Sequence, residues 1–219
     1  SAHLGWTPFD CPADFVRQQY LDFLGRAPDA SGSTYWTSRL HKGTSGSSLI
    51  RSFIASNEFG RVVSPVVRSY LAIHGTHPPT KAVIDEGVAA YRQGQTPAEL
   101  ADVYATDPTV AAKSNAQFVT STYRNVYKRD PSSSELSADV AKLASGTSRG
   151  TLASGYAEGT IGAGRLSPEV TVAMVYLGML GRAPDPGGWS YWVPKARTGS
   201  ADALIVGFQR SNEYRNRVT

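Results

Sequence analysis

Few side chains in this sequence are spaced for catalysis. Of the four histidines, only His74 and His77 lie close together, and no Cys, Asp or Glu follows at ligand spacing in that loop to complete a tetrahedral metal site. Cys11 is the only cysteine, so it forms no disulfide within the chain, and no partner of fixed geometry marks it as a nucleophile. Asp85 and Glu86 are adjacent on a predicted helix and point apart, which does not suit paired-carboxylate catalysis. We therefore expect no enzymatic activity, no bound metal and no cofactor.

Aromatic side chains are the remaining candidates for binding a ligand. Trp189 follows a Pro-Gly-Gly turn at a predicted helix start, and nothing in the local pattern requires a tryptophan there. We expect its indole to be exposed and to form the main ligand platform. For Trp36 and Trp192 two interpretations stay open, a helix–helix core, which is favoured, and a ligand surface. With their neighbouring tyrosines and charged side chains, the predicted ligand-binding residues are Trp189, Arg182, Asp185, Tyr191, Trp192, Arg26, Asp29, Tyr35 and Trp36.

These candidates are positioned by an internal repeat. Residues 20–29 (YLDFLGRAPD) return as residues 176–185 (YLGMLGRAPD), and each copy continues into Gly-x-x-Tyr-Trp. Tyr70 and Tyr123 mark two degraded copies, because each precedes a proline by eight residues, as Tyr20 and Tyr176 do. Successive tyrosines are 50, 53 and 53 residues apart, so a fourfold repeat covers most of the chain.

Each repeat is predicted to contain three short helices. An apolar stripe at i, i+4, i+7 and i+8 marks the first helix, and an aromatic residue lies near the end of the third. No segment alternates as a strand would, so we predict an all-α fold of four tandem repeats of about 50 residues. The predicted divisions are an irregular lead-in at 1–14 and helical repeats at 15–63, 64–113, 114–166 and 167–219.

Capping patterns predict where several helices begin. Two of them are capping boxes, in which Thr96 precedes Glu99 and Ser132 precedes Glu135 by three residues. The predicted N-caps are Asp14, Asp29, Ser64, Thr96, Ser132, Ser167 and Asp185. For Asp29 and Asp185, capping is favoured over ligand binding because it accounts for an aspartate in that position without a ligand.

In two of the repeats, the arginine of the repeated motif is accompanied by a glutamate further along the repeat. Arg26 and Glu58 occur together in the first repeat, and Arg182 and Glu213 occur together in the fourth. The favoured interpretation is a structural ion pair between the turn after the first helix and the end of the third helix.

The charge and hydropathy of the chain exclude two classes of partner. The net charge is +4, but no run of Lys or Arg concentrates it, so we expect no nucleic-acid partner. The longest apolar run, Val172–Leu180, is about half the length of a membrane-spanning helix, so we expect no membrane span. The chain starts without a charged and then apolar leader, so we expect any signal peptide to have been removed already or never to have been present.

The repeated motif resembles a known family. Tyr-Leu-x-x-Leu-Gly-Arg-Ala-Pro-Asp-x-x-Gly-x-x-Tyr-Trp, followed by Phe-x-x-Ser-x-Glu-Phe/Tyr, is similar to the bacterial domain-of-unknown-function family 4214 and, more distantly, to the helical phycobilisome linker domain. The first and fourth repeats carry the pattern, whereas the second and third depart from it. The resemblance implies an accessory module of a secreted or cell-surface bacterial protein, and it brings no catalytic residues with it.

From these observations we expect a non-catalytic module that binds a glycan or polysaccharide outside the cell or at its envelope. Aromatic faces would stack on sugar rings, and Arg and Asp side chains would bond to the hydroxyls. The alternative is a protein–protein interaction or linker module, whose partners would be other protein domains.

Overall fold

The computed structural model of the protein describes residue 9 and residues 11–199 and 201–217. Every regular element in this part of the chain is helical, which confirms the predicted all-α class. In chain order the helices are α1 (Pro12–Gln19), α2 (Ala30–His41), α3 (Gly46–Ile54), α4 (Ser64–His74), α5 (Lys81–Arg92), α6 (Pro97–Tyr104), α7 (Pro108–Ala111), α8 (Asn115–Tyr127), α9 (Ser133–Ala144), α10 (Arg149–Glu158), α11 (Thr160–Val175), α12 (Pro186–Thr198), α13 (Asp202–Gln209) and α14 (Asn212–Arg215). Five-residue π-helical turns lie at Tyr20–Leu24, Phe59–Val63 and Tyr176–Leu180.

The helices form two compact units. One contains the described residues up to Val63 together with those from Thr171 onward, and the other contains Ser64–Val170. The first unit therefore takes in most of the predicted first and fourth repeats, and the second unit takes in the predicted second and third. Within the first unit α1 packs against α2, and α3 packs against α13. Within the second unit α4, α6 and α10 pack against one another, and α8 packs against α4 and α9.

Four predicted N-caps are confirmed by their hydrogen bonds. Asp29, Thr96, Ser132 and Asp185 each accept a hydrogen bond from the backbone N–H three residues ahead. The glutamates after Thr96 and Ser132 also accept from the backbone N–H of the cap, so both capping boxes are complete. These starts depend only on neighbouring residues, which is why the sequence predicts them well.

The predicted start of the first helix is wrong by a few residues. α1 begins at Pro12, so its N-cap is Cys11, and Asp14 lies in the first turn. Proline is favoured at the first helical position because its missing N–H would have no partner there, and this moves the start ahead of Asp14. Of the predicted lead-in, residues 1–8 and 10 lie outside the described residues.

Two predicted caps fall inside continuous helical segments instead. Ser64 is the first residue of α4 and follows directly from the π-helical turn at Phe59–Val63. Ser167 lies within α11, which continues through Pro168. Leu166 and Val170 are buried on either side of this proline, so packing favours the unbroken helix despite one lost backbone hydrogen bond.

The predicted apolar stripe is the buried face of the first helix in each repeat. Its first three positions are buried in all four repeats, except that Tyr70 is half-buried. The tyrosine of each stripe meets an aromatic ring of the third helix edge to face, with interplanar angles of 70° to 90°. The pairs and their centroid distances are Tyr20–Phe53 (4.7 Å), Tyr70–Tyr104 (5.2 Å), Tyr123–Tyr156 (4.8 Å) and Tyr176–Phe208 (4.7 Å).

A left-handed residue follows the first helix of every repeat. Gly25, Gly75 and Gly181 have φ of 65°, 67° and 68°, as the predicted helix-ending glycines should. Lys128 takes this position in the third repeat with φ 59°, and it is the one non-glycine residue with positive φ in the described part of the chain. Its Nζ lies 2.9 Å from a carboxylate oxygen of the buried Glu169, a contact that glycine could not make. This contact offsets part of the backbone strain.

We expect Tyr176→Ala to lower the free energy of unfolding by about 3–5 kcal/mol, because it removes a buried aromatic ring and its edge-to-face partner contact. Denaturant unfolding measures the loss. Tyr35→Ala is the matched control, since 53% of Tyr35 is exposed and its loss should cost about 1 kcal/mol or less. Equal losses for the two variants would show that the stripe is not the core.

Candidate functional site

Arg26 and Arg182 form the predicted ion pairs. Arg26 bonds to Glu58 through two parallel contacts, Nε–Oε1 at 2.6 Å and Nη2–Oε2 at 2.7 Å. Arg182 bonds to Glu213 in the same way, with Nη2–Oε2 at 3.1 Å. Each guanidinium also lies over the ring of the motif tyrosine, 5.0 Å and 5.4 Å from the ring centroids. Both guanidinium groups therefore take part in contacts within their repeats.

Asp29 and Asp185 act as the predicted caps and remain more than half exposed. Hydrogen bonds from the Ser31 hydroxyl and the Gly32 N–H hold the pKa of Asp29 below its usual value. The N–H of Gly188 does the same for the pKa of Asp185. Their side chains are 58% and 59% exposed, so each carboxylate caps its helix at the surface.

The glycine three residues after each of these aspartates has a packing role. A Cβ at Gly32 would overlap the hydroxyl of Tyr20, and a Cβ at Gly188 would overlap that of Tyr176. Burial raises the pKa of both tyrosine hydroxyls, so both are neutral at physiological pH. The motif therefore combines a cap, a glycine and a buried tyrosine because the three are in contact.

The most exposed aromatic ring of the fourth repeat is Tyr191, not Trp189. Tyr191 is 57% exposed and stands edge-on to Trp192, with the centroids 4.9 Å apart. Lys195, one helical turn further on, places its ammonium 4.6 Å from the Tyr191 centroid. We call these three residues the fourth-repeat platform.

The first repeat carries the same arrangement. Tyr35 is 53% exposed, stands edge-on to Trp36 at 5.1 Å, and has the guanidinium of Arg39 5.8 Å from its centroid. These residues form the first-repeat platform. Neither Arg39 nor Lys195 was predicted from the sequence. Each follows its tyrosine by four residues on a helix, a spacing that brings side chains together.

Trp36 and Trp192 each lie partly in the helix packing and partly at the surface, so both interpretations that the sequence left open apply to them. Each is half-buried, and its ring meets a phenylalanine of the third helix, with centroid distances of 5.6 Å to Phe53 and 6.4 Å to Phe208. Their buried part fixes the ring, and their exposed part contributes to the surface beside the tyrosine. Each platform is therefore anchored by packing against the third helix of its repeat.

A groove of about 410 Å³ opens beside the fourth-repeat platform. Trp192 and Lys195 line one side of it, and Asp202 and Leu204 at the start of α13 line the other. The Asp202 carboxylate lies 2.9 Å from Arg51 Nη1, so opposite charges meet at this edge. An aromatic wall flanked by an ammonium and a carboxylate suits a neutral, hydroxyl-rich ligand.

The expectation that the Trp189 indole is exposed is wrong. Trp189 is only 7% exposed. It lies four residues before Val193, which is also buried, so both belong to the inward face of α12. Its counterpart Ser33 is half-buried, so this position is partly covered in the first repeat as well. The assignment of Trp189 to ligand binding stays a prediction. The exposed aromatic ring of this helix is that of Tyr191, two residues further on.

The titratable residues that the sequence singled out make local hydrogen bonds. The His77 ring is hydrogen-bonded to the backbone oxygen of His74, and Cys11 donates to Asp14. In the described part of the chain, no group of three or more His, Cys, Asp or Glu side chains is arranged to hold a metal ion. None of the helices among these residues combines the length and the apolar character needed to cross a membrane.

The fold and the surface define a helical-repeat protein that presents exposed aromatic side chains. Within that class, the model of the family described as Domain of unknown function (DUF4214) matches residues 10–63, 98–161 and 161–218, and the chain belongs to this family. The predicted family resemblance is thereby confirmed. The relation to phycobilisome linkers stays a prediction. The count of four repeats also stays a prediction, since residues 64–97 fall outside the matched segments.

The comparisons with curated proteins and with solved structures returned no significant match. The family description assigns no activity, so the function has to be argued from the side chains of this chain.

We expect a double-mutant cycle on Arg26→Met and Glu58→Gln to give a coupling energy of about 1 kcal/mol, because the pair is bidentate and partly shielded from water. The side chains are 32% and 26% exposed. The more exposed pair Arg182–Glu213, at 43% and 47%, is the matched comparison and should give a few tenths of a kcal/mol. Additive losses at Arg26 and Glu58 would contradict the structural role.

We expect Trp189→Ala to lower the free energy of unfolding by about 3–5 kcal/mol, because the indole is buried on the inward face of α12. Tyr191→Ala on the same helix is the control and should change it by about 1 kcal/mol or less. Thermal and denaturant unfolding measure both. An unchanged melting temperature for Trp189→Ala would restore the original expectation of an exposed indole.

Proposed function

We propose that the chain is a non-catalytic glycan-binding module of an exported bacterial protein, acting at or near the cell envelope. The observation that carries this proposal is the pair of aromatic platforms. In each, an exposed tyrosine is braced by a half-buried tryptophan and approached by a cation one helical turn away. A rigid aromatic face with a nearby charge is the surface that a sugar ring needs.

The chemistry of a sugar matches the platforms at two points. The C–H faces of a pyranose ring are apolar and pack on an aromatic face such as Tyr191, where the loss of water from both surfaces favours contact. The hydroxyls at the ring edge then bond to charged groups such as Lys195 and Asp202 across the groove. Because the tyrosine and tryptophan rings of each platform are held by packing, little side-chain entropy is lost on binding.

The two platforms would act on the same polymer. One stacked sugar with a few hydrogen bonds gives modest affinity, and a second site on the same chain raises it through effective concentration. A polysaccharide that offers many copies of the same unit would therefore bind more tightly than its monosaccharide. We thus propose an extended glycan, secreted or on the cell surface, as the natural partner.

A glycan array probed with the purified chain tests the proposal. We expect specific hits, and we expect the double variant Tyr35→Ala/Tyr191→Ala to weaken binding of those hits about tenfold or more, a loss of about 1.4 kcal/mol or more. Since both tyrosines are more than half exposed, the melting temperature should stay nearly unchanged.

Ile161→Ala is the matched control, because Ile161 is an apolar side chain that is 66% exposed and belongs to neither platform. It should bind glycans like the parent chain. A folded protein that gives a blank array, or binding that survives loss of both tyrosines, would contradict the proposal. In that case the alternative predicted from the sequence, a protein-interaction or linker module, is tested by cross-linking through the same two tyrosine positions.

A further inference from the structure

The second repeat contains a cavity that is independent of both platforms. It has a volume of about 510 Å³ and lies within the second unit, between α4, α5 and α6. Tyr70 and His74 contribute from α4, Glu86 and Gly87 from α5, and Tyr104 from α6. The ring of Tyr104 is the third-helix partner of the repeat tyrosine, so the cavity opens at the centre of the repeat.

Comparison between repeats shows what is different here. The position 16 residues after the repeat tyrosine is tryptophan in the first and fourth repeats, Asp139 in the third and Glu86 in the second. Asp139 is buried and accepts hydrogen bonds from the hydroxyls of both Tyr123 and Tyr156. The same junction in the third repeat is therefore closed by its own carboxylate. In the second repeat Glu86 is exposed and makes no such closure.

The hydroxyl of Tyr104 is left without a partner as a result. The oxygen is fully buried, and among the described residues no group is placed to form a hydrogen bond with it. Gly87 faces it, and a Cβ there would lie 2.5 Å from the hydroxyl oxygen, so the glycine leaves room for that group. Burial raises the pKa of Tyr104 to about 12, so the hydroxyl stays neutral. A buried hydroxyl without a partner costs free energy, so this junction lacks the hydrogen bonds that close the third repeat.

The charged groups of the cavity have one sign. Glu86 and Asp107 both line it, and the described lining residues include no Lys or Arg. His74 also lines the cavity, with its ring stacked 4.4 Å from that of Tyr70. Burial lowers the pKa of His74, which keeps the ring neutral at physiological pH. The remaining wall is largely apolar, with Leu100 at its buried end.

We propose that this cavity binds a small organic cation, an ammonium group on an apolar body. The ammonium would pair with the exposed carboxylate of Glu86 and lie against the rings of Tyr70 and Tyr104, which attract cations. The apolar body would cover Leu100 and the neighbouring aliphatic wall. This site goes beyond the proposed glycan binding and uses none of the residues of the platforms.

Titration of the 15N-labelled full chain with 2-phenylethylammonium chloride tests the proposal by NMR. We expect saturable shifts confined to residues that line the cavity on α4, α5 and α6. The neutral 2-phenylethanol and the anionic 3-phenylpropionate, which share the phenyl body, should bind about tenfold or more weakly. Equal affinity for the alcohol, shifts spread over the surface, or no saturable shift would overturn the proposal.

Variants of two adjacent carboxylates on α5 provide a matched pair. Glu86→Gln should weaken binding of 2-phenylethylammonium about tenfold. Asp85→Asn should leave it within about twofold, because Asp85 pairs with Lys81 at 2.5 Å and does not line the cavity. Tyr104→Phe keeps the ring and removes only a buried hydroxyl, so it should also bind within about twofold. Equal affinities for Glu86→Gln and Asp85→Asn would contradict the assignment. The glycan array of the Glu86→Gln chain should match that of the parent, so the two proposals fail or succeed separately.

Discussion

The edge-to-face contact between one tyrosine of the first helix and one aromatic residue of the third is the interaction on which each repeat depends. It recurs in each of the four predicted repeats, with centroid distances of 4.7 Å to 5.2 Å. Such a pair adds about 0.5–1.5 kcal/mol to the free energy of burying the rings. Short helices cannot hold themselves together in water, so this contact and the apolar stripe around it make the helices stable.

The residues that the first and fourth repeats share in their motif are the ones that hold the tyrosine of the first helix in place. The arginine after the first helix covers the ring and bonds to a glutamate that follows the third helix. The aspartate caps the second helix, and the glycine behind it leaves space for the tyrosine hydroxyl. The third repeat keeps the arginine as Arg129, which lies over Tyr123 but pairs with Glu135 of its own capping box. The arginine thus lies over the tyrosine ring in both arrangements, but it pairs with a glutamate from a different part of the repeat.

The same scaffold also leaves room for chemical variation at a single position. Sixteen residues after the tyrosine, tryptophan supports a surface platform, Asp139 closes a hydrogen-bonded junction, and Glu86 borders a cavity. Each substitution changes the chemistry of the repeat without changing the aromatic contact beneath it. A repeat protein can in this way carry different surfaces on one fold, and for that reason its function has to be read from individual side chains.

The sequence by itself determined the helical class, the aromatic stripe and the main caps, because all of these depend on residues within one or two helical turns. It also paired Arg26 with Glu58 correctly, since the arginine and the glutamate occur together only in the first and fourth repeats. It could not determine that Trp189 is buried and Tyr191 exposed, or that α11 continues through Pro168. Those outcomes depend on which face of a helix meets another helix far away in the chain. Only tertiary packing decides that, because the same local pattern is compatible with either face turned inward.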